Sequence, residues 1–552
     1  MVKRIIQITL FLILLFIIFL IYLSVYGVST DRFSKIVSEK ISERNKNLDI
    51  NLNEIKIFLN INNFNFELKT NDPKVFFKKK EIKIKNVSTN LPLKNLFSKK
   101  INLEEIKILT HKNKIQNLIK IIRNYKDNPE LFVLDKIVKD GFINIESKIS
   151  FNEDGSIKSN YLIDGNIEDL KIDLLNNNVI ENINLSFLIR EKNYLIYNAS
   201  LIYESVKINS NKIKIIDDEN NYNFEGDISN QKGKIILNKL SAFLSNSMIN
   251  ISKEELIISS NNKFSFKLNK KIEFTNINFQ SKITLERFRY SNDMFKRFFP
   301  GYKEDIKFEN NSIKIEYNNG DYQLNGKSKI NINGDIDNIN YSLNKIKKDY
   351  FYNFNFELIN SAINFKILNY TKNKDDKSLL ELKGNFLNSK NLNLEKIKFI
   401  QDKNFIEIQD IKINKNKKIK SIDIIKIHVF NNNDKLSKLD IKKDNKNYLI
   451  NSQNFDGSKL VDEILFSKEK GNFFDLFDNL NSNIFIKIDT AYLSNEYYLV
   501  SLNTNMVIKN NQIFELNLLS KFPNNEDFKV SIRTNQNKEK ITTVFTNYAK
   551  PL

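Results

Sequence analysis

Hydrophobic and polar residues alternate with a period of two along most of this chain. The stretches "NLDINLNEIKIFLNINNFNFELK", "EIKIKNVSTNLPLKNLFSKKINLEEIKIL" (81–109) and "NFIEIQDIKINKNKKIKSIDIIKIHVF" (404–430) are examples. In a β-strand, successive side chains point to opposite faces, so this pattern places Ile, Leu, Phe and Tyr on one face and Lys, Asn and Glu on the other. The alternation predicts antiparallel β-sheet with one apolar face and one solvated face.

Local signals add turns and a few helices to this sheet. Asn319 and Gly320, in "EYNNGDYQL", can both adopt the positive φ of a tight hairpin turn. Residues 114–125 have the spacing of an amphipathic helix, with Ile115, Leu118, Ile119 and Ile122 on one stripe. Two further short helices are predicted, one from Ser29 through Ile41 and one at 292–302.

The N-terminus differs from the rest because it carries no charge from Ile5 to Val28. These residues would form a helix of roughly 36 Å, which is enough to cross a hydrocarbon core of about 30 Å. The predicted membrane contacts are Ile5, Leu10, Leu15, Leu20 and Tyr22. Lys3 and Arg4 precede the segment, so the positive-inside rule predicts a cytoplasmic N-terminus and a single pass.

A cleaved signal peptide is the alternative for this segment. Its apolar region would cover only about 7–15 residues and end at small residues. The sequence "LSVYGVS" offers no such A-x-A site, and the apolar run is longer. An uncleaved anchor is therefore the prediction.

Two short patterns recur along the chain. "NLNEIKI" (51–57), "NLEEIKI" (102–108) and "NLEKIKF" (393–399) share one pattern, and Gly followed by Asn or Asp begins four other segments, at 165, 226, 334 and 384. Such recurrence indicates a stacked, repetitive β architecture.

The 6 prolines and 13 glycines among 552 residues form no linker of the kind that separates compact domains. We predict an anchor (1–28), a β module with short helices (29–150) and a repetitive β region (151–552).

Charge modifies this picture only slightly. The chain has 86 Lys and Arg against 66 Asp and Glu, a formal net charge of +20. The lysines are scattered between isoleucines and asparagines, as on a solvated strand face, and a specific anion-binding surface is the alternative. We expect no nucleic-acid partner.

The sequence contains little that could perform catalysis. It has no cysteine, and its two histidines, His111 and His428, are far apart. "GDYQLNGKS" (320–328) fails the P-loop spacing and lies in a hairpin. We therefore expect no cofactor, no metal site and no enzymatic activity.

The layout resembles the AsmA-like superfamily, which includes AsmA, TamB and YhdP of Gram-negative bacteria. The resemblance rests on the anchor, the strands "LDINLNEIKIFL" and "NFNFELK", and the leucine-containing link in residues 81–109. "LDKIVKDGFINIES" (134–147) and "FKRFFPGY" are most similar to the YhdP branch.

This resemblance implies a mainly β fold: one transmembrane helix, then a long curled antiparallel sheet that forms an elongated open apolar groove. It implies a bacterial inner-membrane protein, with most of the chain in the periplasm, that carries phospholipid toward the outer membrane. The candidate groove-lining residues are Ile82, Ile84, Leu103, Ile106, Ile108, Leu394, Ile397 and Phe399. The alternative is an assembly factor whose strands pair with outer-membrane proteins. Longer relatives have a terminal element that the final "ITTVFTNYAKPL" does not match. The resemblance therefore leaves two alternatives: the contact with the far membrane is missing, or the repetitive region is incomplete at its C-terminal end because the chain is part of a longer protein.

Overall fold

The computed structural model describes residues 2–30, 34, 38, 48–61, 65–92, 105–125, 129–152, 156, 158–174, 178–236, 255–271, 273–290, 299, 302, 306–387, 391–416, 418–459, 473–494, 496–535 and 539–547. It is mainly β, as the alternation predicts. Within these residues, thirty-one strands are grouped in one large sheet, and two more form a separate hairpin. The chain divides into unit 1 (Met1–Lys234 and Ser259–Asn278) and unit 2 (Ile235–Ile258 and Phe279–Leu552).

Unit 1 begins with the predicted apolar helix, α1 (Val2–Val25), and continues mostly as strands. Its next elements are β1 (Val28–Thr30), β2 (Leu48–Asn51), β3 (Ile55–Asn60), β4 (Asn65–Asn71), β5 (Lys74–Phe77), β6 (Lys80–Pro92), β7 (Glu105–Thr110), β8 (Asn113–Lys114), α2 (Ile115–Tyr125) and α3 (Pro129–Ile137). Longer strands follow: β9 (Val138–Ser150), β10 (Leu162–Leu174), β11 (Asn178–Arg190), β12 (Asn193–Tyr203) and β13 (Val206–Asp217). β14 (Asn221–Ile236), β15 (Glu255–Asn269) and β16 (Phe274–Tyr290) each contribute residues to both units.

Hydrogen bonding in unit 1 follows the order β1-β3-β4-β6-β7-β9-β10-β11-β12-β13-β14, with every pairing antiparallel.

α1 is long and apolar enough to span a membrane or to act as a signal sequence. The predicted anchor residues all lie in it, and Ile5, Leu10, Leu15 and Tyr22 are exposed. Most of the helix predicted after the anchor lies outside the described residues, but Ser29 and Thr30 belong to β1.

Unit 2 is a long succession of hairpins. Its strands are β17 (Ile306–Asn318), β18 (Asp321–Ile332), β19 (Asp335–Ile346), β20 (Asp349–Leu358), β21 (Ile363–Phe365), β22 (Tyr370–Lys372), β23 (Ser378–Leu387), β24 (Asn391–Gln401), β25 (Asn404–Ile413), β26 (Ile419–Phe430), β27 (Leu436–Asp444), β28 (Asn447–Asp456), β29 (Ser482–Tyr492), β30 (Tyr498–Lys509), β31 (Gln512–Lys521), β32 (Asp527–Thr534) and β33 (Lys540–Thr546). The 3₁₀ turns η1 (Lys366–Leu368) and η2 (Phe473–Leu476) lie in two of its connections.

Successive strands of unit 2 pair antiparallel, except that β28 and β29 pair in parallel. A parallel pair needs a longer crossover than a hairpin, and residues 457–481 provide it. The predicted hairpin turn is confirmed, because Asn319 (φ 47°) and Gly320 (φ 101°) connect β17 to β18. Most of the helix predicted at 292–302 lies outside the described residues.

Candidate functional site

The sheet of unit 2 has one apolar face, formed by every second residue. In β17, Ile313, Ile315 and Tyr317 are half-buried, whereas Lys314 and Glu316 between them are exposed. Cross-strand pairing continues this side from Ile315 to Leu324 and Leu343. We call it the apolar face of unit 2; its central residues are Ile313, Ile315, Leu324, Leu343, Phe354, Leu382, Ile397 and Ile408.

Unit 1 has an equivalent apolar face that begins next to the apolar helix. Val28, three residues after α1, pairs with Ile57, which pairs with Leu68. The face then continues through Thr89 to Ile106. Apolar side chains of the sheet therefore start within a few residues of the end of the helix.

Seven of the eight predicted groove residues can be placed, and they lie on these two faces. In unit 1, Ile84 pairs with Thr110, Ile106 with Thr89 and Ile108 with Val87, which puts them on one side. Ile82, two residues before Ile84, shares that side and pairs with Val75. Leu103 lies outside the described residues.

In unit 2, Leu394 pairs with Gly384, and Ile397 pairs with Leu382. Both side chains are half-buried. Phe399 lies on the same face but is only 2% exposed, because it packs against Phe365 (ring centroids 5.2 Å apart) and Tyr370 (6.1 Å). Phe399 therefore belongs to a part of the face that other protein residues cover.

Glycines on the apolar faces lie beneath aromatic rings of neighbouring strands. A Cβ on Gly165 would be 2.5 Å from the Phe187 ring, and one on Gly326 would be 2.1 Å from the Tyr341 ring. A Cβ on Gly384 would be 2.3 Å from the Asn393 carbonyl oxygen and 2.4 Å from the Tyr352 hydroxyl. The rings lie flat across the sheet where a side chain would otherwise stand, as in the aromatic rescue of strand glycines.

The repeated Gly-Asn/Asp pattern of the sequence partly marks these places. Gly165 and Gly384 are two of the four repeat positions, and Gly226 is a third, where a Cβ would lie 3.0 Å from the Phe264 ring. Gly334 has a different role, since it has a φ of 100° in the β18–β19 turn and no atom near the position of a Cβ. The repeat indicates that glycine matters at these positions, but it does not predict the rings that pack on it.

A hairpin inserted between β20 and β23 covers one end of the apolar face of unit 2. It comprises β21, η1 and β22, and its Ile363, Leu368 and Tyr370 join a core cluster with Leu358 and Phe399. Burial of this kind removes apolar surface from water and fixes the hairpin to the sheet. No feature of the sequence predicts this cover.

Two buried charges hold the hairpin. The Lys372 ammonium is fully buried and donates hydrogen bonds to the carbonyls of Ile359 (2.6 Å) and Ser361 (2.8 Å). The Asp337 carboxylate, 3% exposed, accepts hydrogen bonds from the backbone amides of Ile359, Asn360 and Ser361. Loss of hydration lowers the pKa of Lys372, although Asp337 acts in the opposite direction.

Other segments cover part of each face. In unit 1, Ile119 of α2 packs against Leu170 and Ile183. In unit 2, Phe477 and Leu480, which follow η2, pack against Ile484 and Ile508 near the opposite strand ends from the hairpin. Of the strands that the structure describes, only β21 and β22 lie outside the large sheet, so no second sheet of comparable size covers either face within the described ranges.

The opposite side of the sheet in unit 2 is polar. Cross-strand ion pairs such as Lys396–Glu381 (3.0 Å) and Lys383–Glu395 (3.2 Å) lie on it. Such partly exposed pairs contribute little stability. A shallow hollow of about 360 Å³ also lies on this side, lined in part by Lys314, Asn325 and Lys327.

The described residues contain no group of three or more His, Cys, Asp or Glu side chains that could hold a metal ion. His111 contacts Asp72 (2.8 Å), and His428 stacks on Phe405 (5.7 Å between centroids). Both contacts are explained by strand packing and surface pairing. The expectation that the protein is not an enzyme stays a prediction.

No protein-family model, no curated protein and no solved structure matches this chain. The resemblance to the AsmA-like superfamily therefore stays a prediction from sequence pattern. The site that the structure itself offers is the apolar face of each unit.

Proposed function

We propose that this protein binds the acyl chains of phospholipids on its apolar sheet faces and carries lipid away from the membrane that holds α1. The observation that carries the proposal is an apolar face, half-buried along its centre, with no second sheet of comparable size over it in the described residues. Apolar side chains of a sheet need a cover. Each methylene of an acyl chain that leaves water on such a face contributes about 0.8 kcal/mol.

The position of α1 supports the same proposal. The pairing of Val28 with Ile57 brings the apolar face of unit 1 to the end of the helix. A lipid that leaves the bilayer beside the helix would meet apolar side chains directly. We propose that α1 is an uncleaved anchor in a bacterial inner membrane, with the sheet on the periplasmic side, in agreement with Lys3 and Arg4 at the start of the helix.

The test is the amount of phospholipid that co-purifies with the full-length protein, measured by mass spectrometry. Leu324→Asp places a carboxylate at the centre of the apolar face of unit 2, between Ile315 and Leu343. Asn325→Asp adds the same side chain one residue later on the exposed polar side, and is the matched control. We expect bound phospholipid to fall severalfold in Leu324→Asp and to stay at the wild-type amount in Asn325→Asp.

Ile397→Asp repeats the test at a predicted position in β24. Circular dichroism and hydrogen exchange establish that each variant keeps its sheet. If folded wild-type protein carries no phospholipid, or if the two aspartates at 324 and 325 have equal effects, lipid transfer on this face is rejected. The assembly-factor alternative then gains support.

A further inference from the structure

The topology of unit 2 gathers lysines that are scattered in the sequence. Because its hairpins alternate between two ends of the sheet, turns 318–321, 346–349, 413–419, 444–447 and 509–512 all lie at one rim. We call this the basic rim. Its exposed lysines include Lys347, Lys348, Lys415, Lys418, Lys446 and Lys509. Within the described part of the chain, none of these ammonium groups forms an ion pair with an acidic side chain.

The opposite rim has a different charge character. Its turns hold Asp335, Asp375, Asp402, Asp434, Glu496 and Asp527. Lysines alternate with these acids, and Lys374 pairs with Asp335 at 2.7 Å. The apolar face of unit 2 thus lies between one basic rim and one rim of mixed charge.

Between β17 and β20, the apolar face changes character in steps toward the basic rim. Ile313, Ile315, Leu324 and Leu343 lie toward its centre. Tyr317, Tyr322 and Tyr350 follow at the strand ends; Tyr317 pairs with Tyr322, and the Tyr322 and Tyr350 rings are 6.4 Å apart, edge to face. Tyrosine rings favour such boundaries because they combine an apolar body with a polar tip.

The lysines complete the gradient. Lys345 lies on the apolar side beside these tyrosines, because it pairs with Tyr322 and Tyr350. Its ammonium donates a hydrogen bond to the Gly320 carbonyl (2.9 Å). The same ammonium lies 6.0 Å from the centroid of the Tyr322 ring. The hydrogen bond uses one of the three N–H donors of the ammonium. Lys347 and Lys348 follow in the turn, whose Lys347 amide donates to Asp321 Oδ1 (2.6 Å).

The nearby acids are on the other side of the sheet. Glu316, Asp321 and Asp349 alternate with Tyr317, Tyr322 and Tyr350, so their side chains start from the polar face. Asp321 is also engaged by the Lys347 amide. The apolar side of this rim therefore presents tyrosine rings and the Lys345 ammonium, and the exposed Lys347 and Lys348 lie in the adjoining turn.

We propose that Tyr317, Tyr322, Tyr350, Lys345, Lys347 and Lys348 bind the phosphate-bearing headgroup of an anionic phospholipid whose acyl chains lie on the apolar face of unit 2. The inference rests on the proposed function and adds a substrate class to it. The order of apolar, aromatic and basic groups matches the order of acyl chain, glycerol backbone and charged headgroup along one lipid. A zwitterionic lipid would use the apolar face equally well but would gain less from the lysines.

The test compares headgroups in one sample. Full-length protein in detergent is equilibrated with equal amounts of phosphatidylglycerol and phosphatidylcholine of the same acyl composition, and the bound lipids are quantified by mass spectrometry. The rim variant is Lys345→Gln with Lys347→Gln and Lys348→Gln. The control is Lys314→Gln with Lys327→Gln and Lys329→Gln, which removes equal charge from exposed positions on the polar side of β17 and β18.

We expect wild type and control to bind more phosphatidylglycerol than phosphatidylcholine. In the rim variant, the ratio of bound phosphatidylglycerol to bound phosphatidylcholine should fall by roughly three- to tenfold, because a basic residue near an anionic headgroup contributes about 1 kcal/mol. Total bound lipid should be unchanged, and 0.5 M salt should weaken the preference by screening. Wild type that binds both lipids equally overturns the headgroup site and leaves the proposed function intact. Equal losses in rim variant and control also overturn it, because net charge then explains the preference. Wild type that binds neither lipid overturns the proposed function as well.

Discussion

At the scale of single residues, the glycines beneath aromatic rings leave little room for a side chain on the apolar faces. Gly384 and Gly326 differ in what a methyl group would meet. Beside Gly384 the nearest atom is the Asn393 backbone oxygen, whereas beside Gly326 it is the outer end of the Tyr341 ring. A side chain can rotate away, but a strand carbonyl moves only if the β23–β24 pairing opens.

We therefore expect Gly384→Ala to lower the free energy of unfolding by about 2–3 kcal/mol and Gly326→Ala by about 1 kcal/mol, within the range for overpacked cores. Urea unfolding, with hydrogen exchange of β23 and β24, measures both. Gly457→Ala is the control, since its nearest neighbour would be 3.4 Å away in ordinary contact. Because Gly→Ala by itself stabilises a protein by reducing the entropy of the unfolded chain, equal costs at all three glycines would show that the packed ring or carbonyl does not set the effect.

Other residue-scale features are only partly predictable from sequence. The tight turn at Asn319 and Gly320 follows from local backbone preference, so its prediction is confirmed. Strand residues such as Asn182 (φ 51°) and Ser501 (φ 53°) form bulges whose carbonyls accept from the side-chain amides of Asn184 (2.9 Å) and Asn503 (3.0 Å). In a chain so rich in asparagine, this spacing does not distinguish bulges from ordinary strand positions.

At the scale of elements, the hairpin β21–η1–β22 shows how one buried charge can fix a cover. Lys372→Met would keep much of the side-chain volume but leave the Ile359 and Ser361 carbonyls without their donor. We expect a loss of about 2 kcal/mol, the usual consequence of unsatisfied buried acceptors. Faster hydrogen exchange across residues 363–372 would report it.

Lys374→Met is the control for this hairpin. Its side chain is 59% exposed and forms a surface ion pair with Asp335, so its removal should cost less than about 1 kcal/mol. Matching losses in both lysine variants would mean that the buried hydrogen bonds of Lys372 do not hold the hairpin.

The same hairpin should be sensitive to alkaline pH. Burial raises the pKa of Tyr370 to about 12, whereas an unfolded tyrosine ionises near pH 10. The unfolded state therefore loses its proton first, and this contribution to stability disappears as pH rises from about 10 to about 12. The pKa of Lys372 is lowered by burial, so the contribution of Lys372 to stability rises as pH increases toward its ordinary pKa of 10.5.

Tyr370→Phe isolates the tyrosine contribution, since it removes the titrating hydroxyl and keeps the ring. We expect the decline in hairpin stability between about pH 10 and pH 12, followed by hydrogen-exchange mass spectrometry, to become shallower in this variant. An unchanged pH profile would assign the decline to other buried tyrosines, of which Tyr341 and Tyr352 also have raised pKa values because of burial.

The helices show what periodicity cannot reveal. The predicted helix at 114–125 is confirmed as α2, and its Ile119 is buried as expected. Ile122, predicted on the same stripe, is 49% exposed, whereas Ile121 is buried. α3, whose hydrophobic residues do not follow a helical stripe, packs beside α2 and is joined to it by Arg123 and Asp135 (2.5 Å). A second packing partner changes which residues a helix buries, and the sequence of α2 alone does not contain that information.

At the scale of the whole molecule, strand alternation is enough to predict a mainly β chain after one apolar helix, because side-chain direction in a strand depends only on residue parity. The same parity places Ile106 and Ile108 on one apolar face, whereas Leu394 and Ile397, which differ in parity, share a face because the β23–β24 register shifts between Lys383 and Gly384. The clustering of lysines at the basic rim cannot be predicted from the sequence alone. Lys347, Lys415 and Lys446 are far apart in sequence and share a rim only because of the order of the hairpins. Without that order, sequence reasoning describes them as scattered.

The join between helix and sheet permits a last prediction. Gly27, with a φ of 67°, separates α1 from β1, and a Cβ there would lie 2.9 Å from the Ile57 carbonyl oxygen and 3.1 Å from the Phe58 ring. This close approach fixes the start of the apolar face at the end of the helix. A ten-residue Gly/Ser linker inserted between Tyr26 and Gly27 would keep the β1–β3 pairing but let the sheet move by roughly 18 Å from the helix end.

If the protein transfers lipid as proposed, this insertion should slow the extraction of fluorescent phospholipid from proteoliposomes severalfold, because the effective concentration of the apolar face at the bilayer falls. The amount of phospholipid bound at equilibrium should not change, since the face itself is intact. An insertion of the same length in unit 2, between the exposed residues Lys415 and Asn416, controls for added length. If extraction is as fast with the linker as without it, lipid does not enter the sheet at the helix junction.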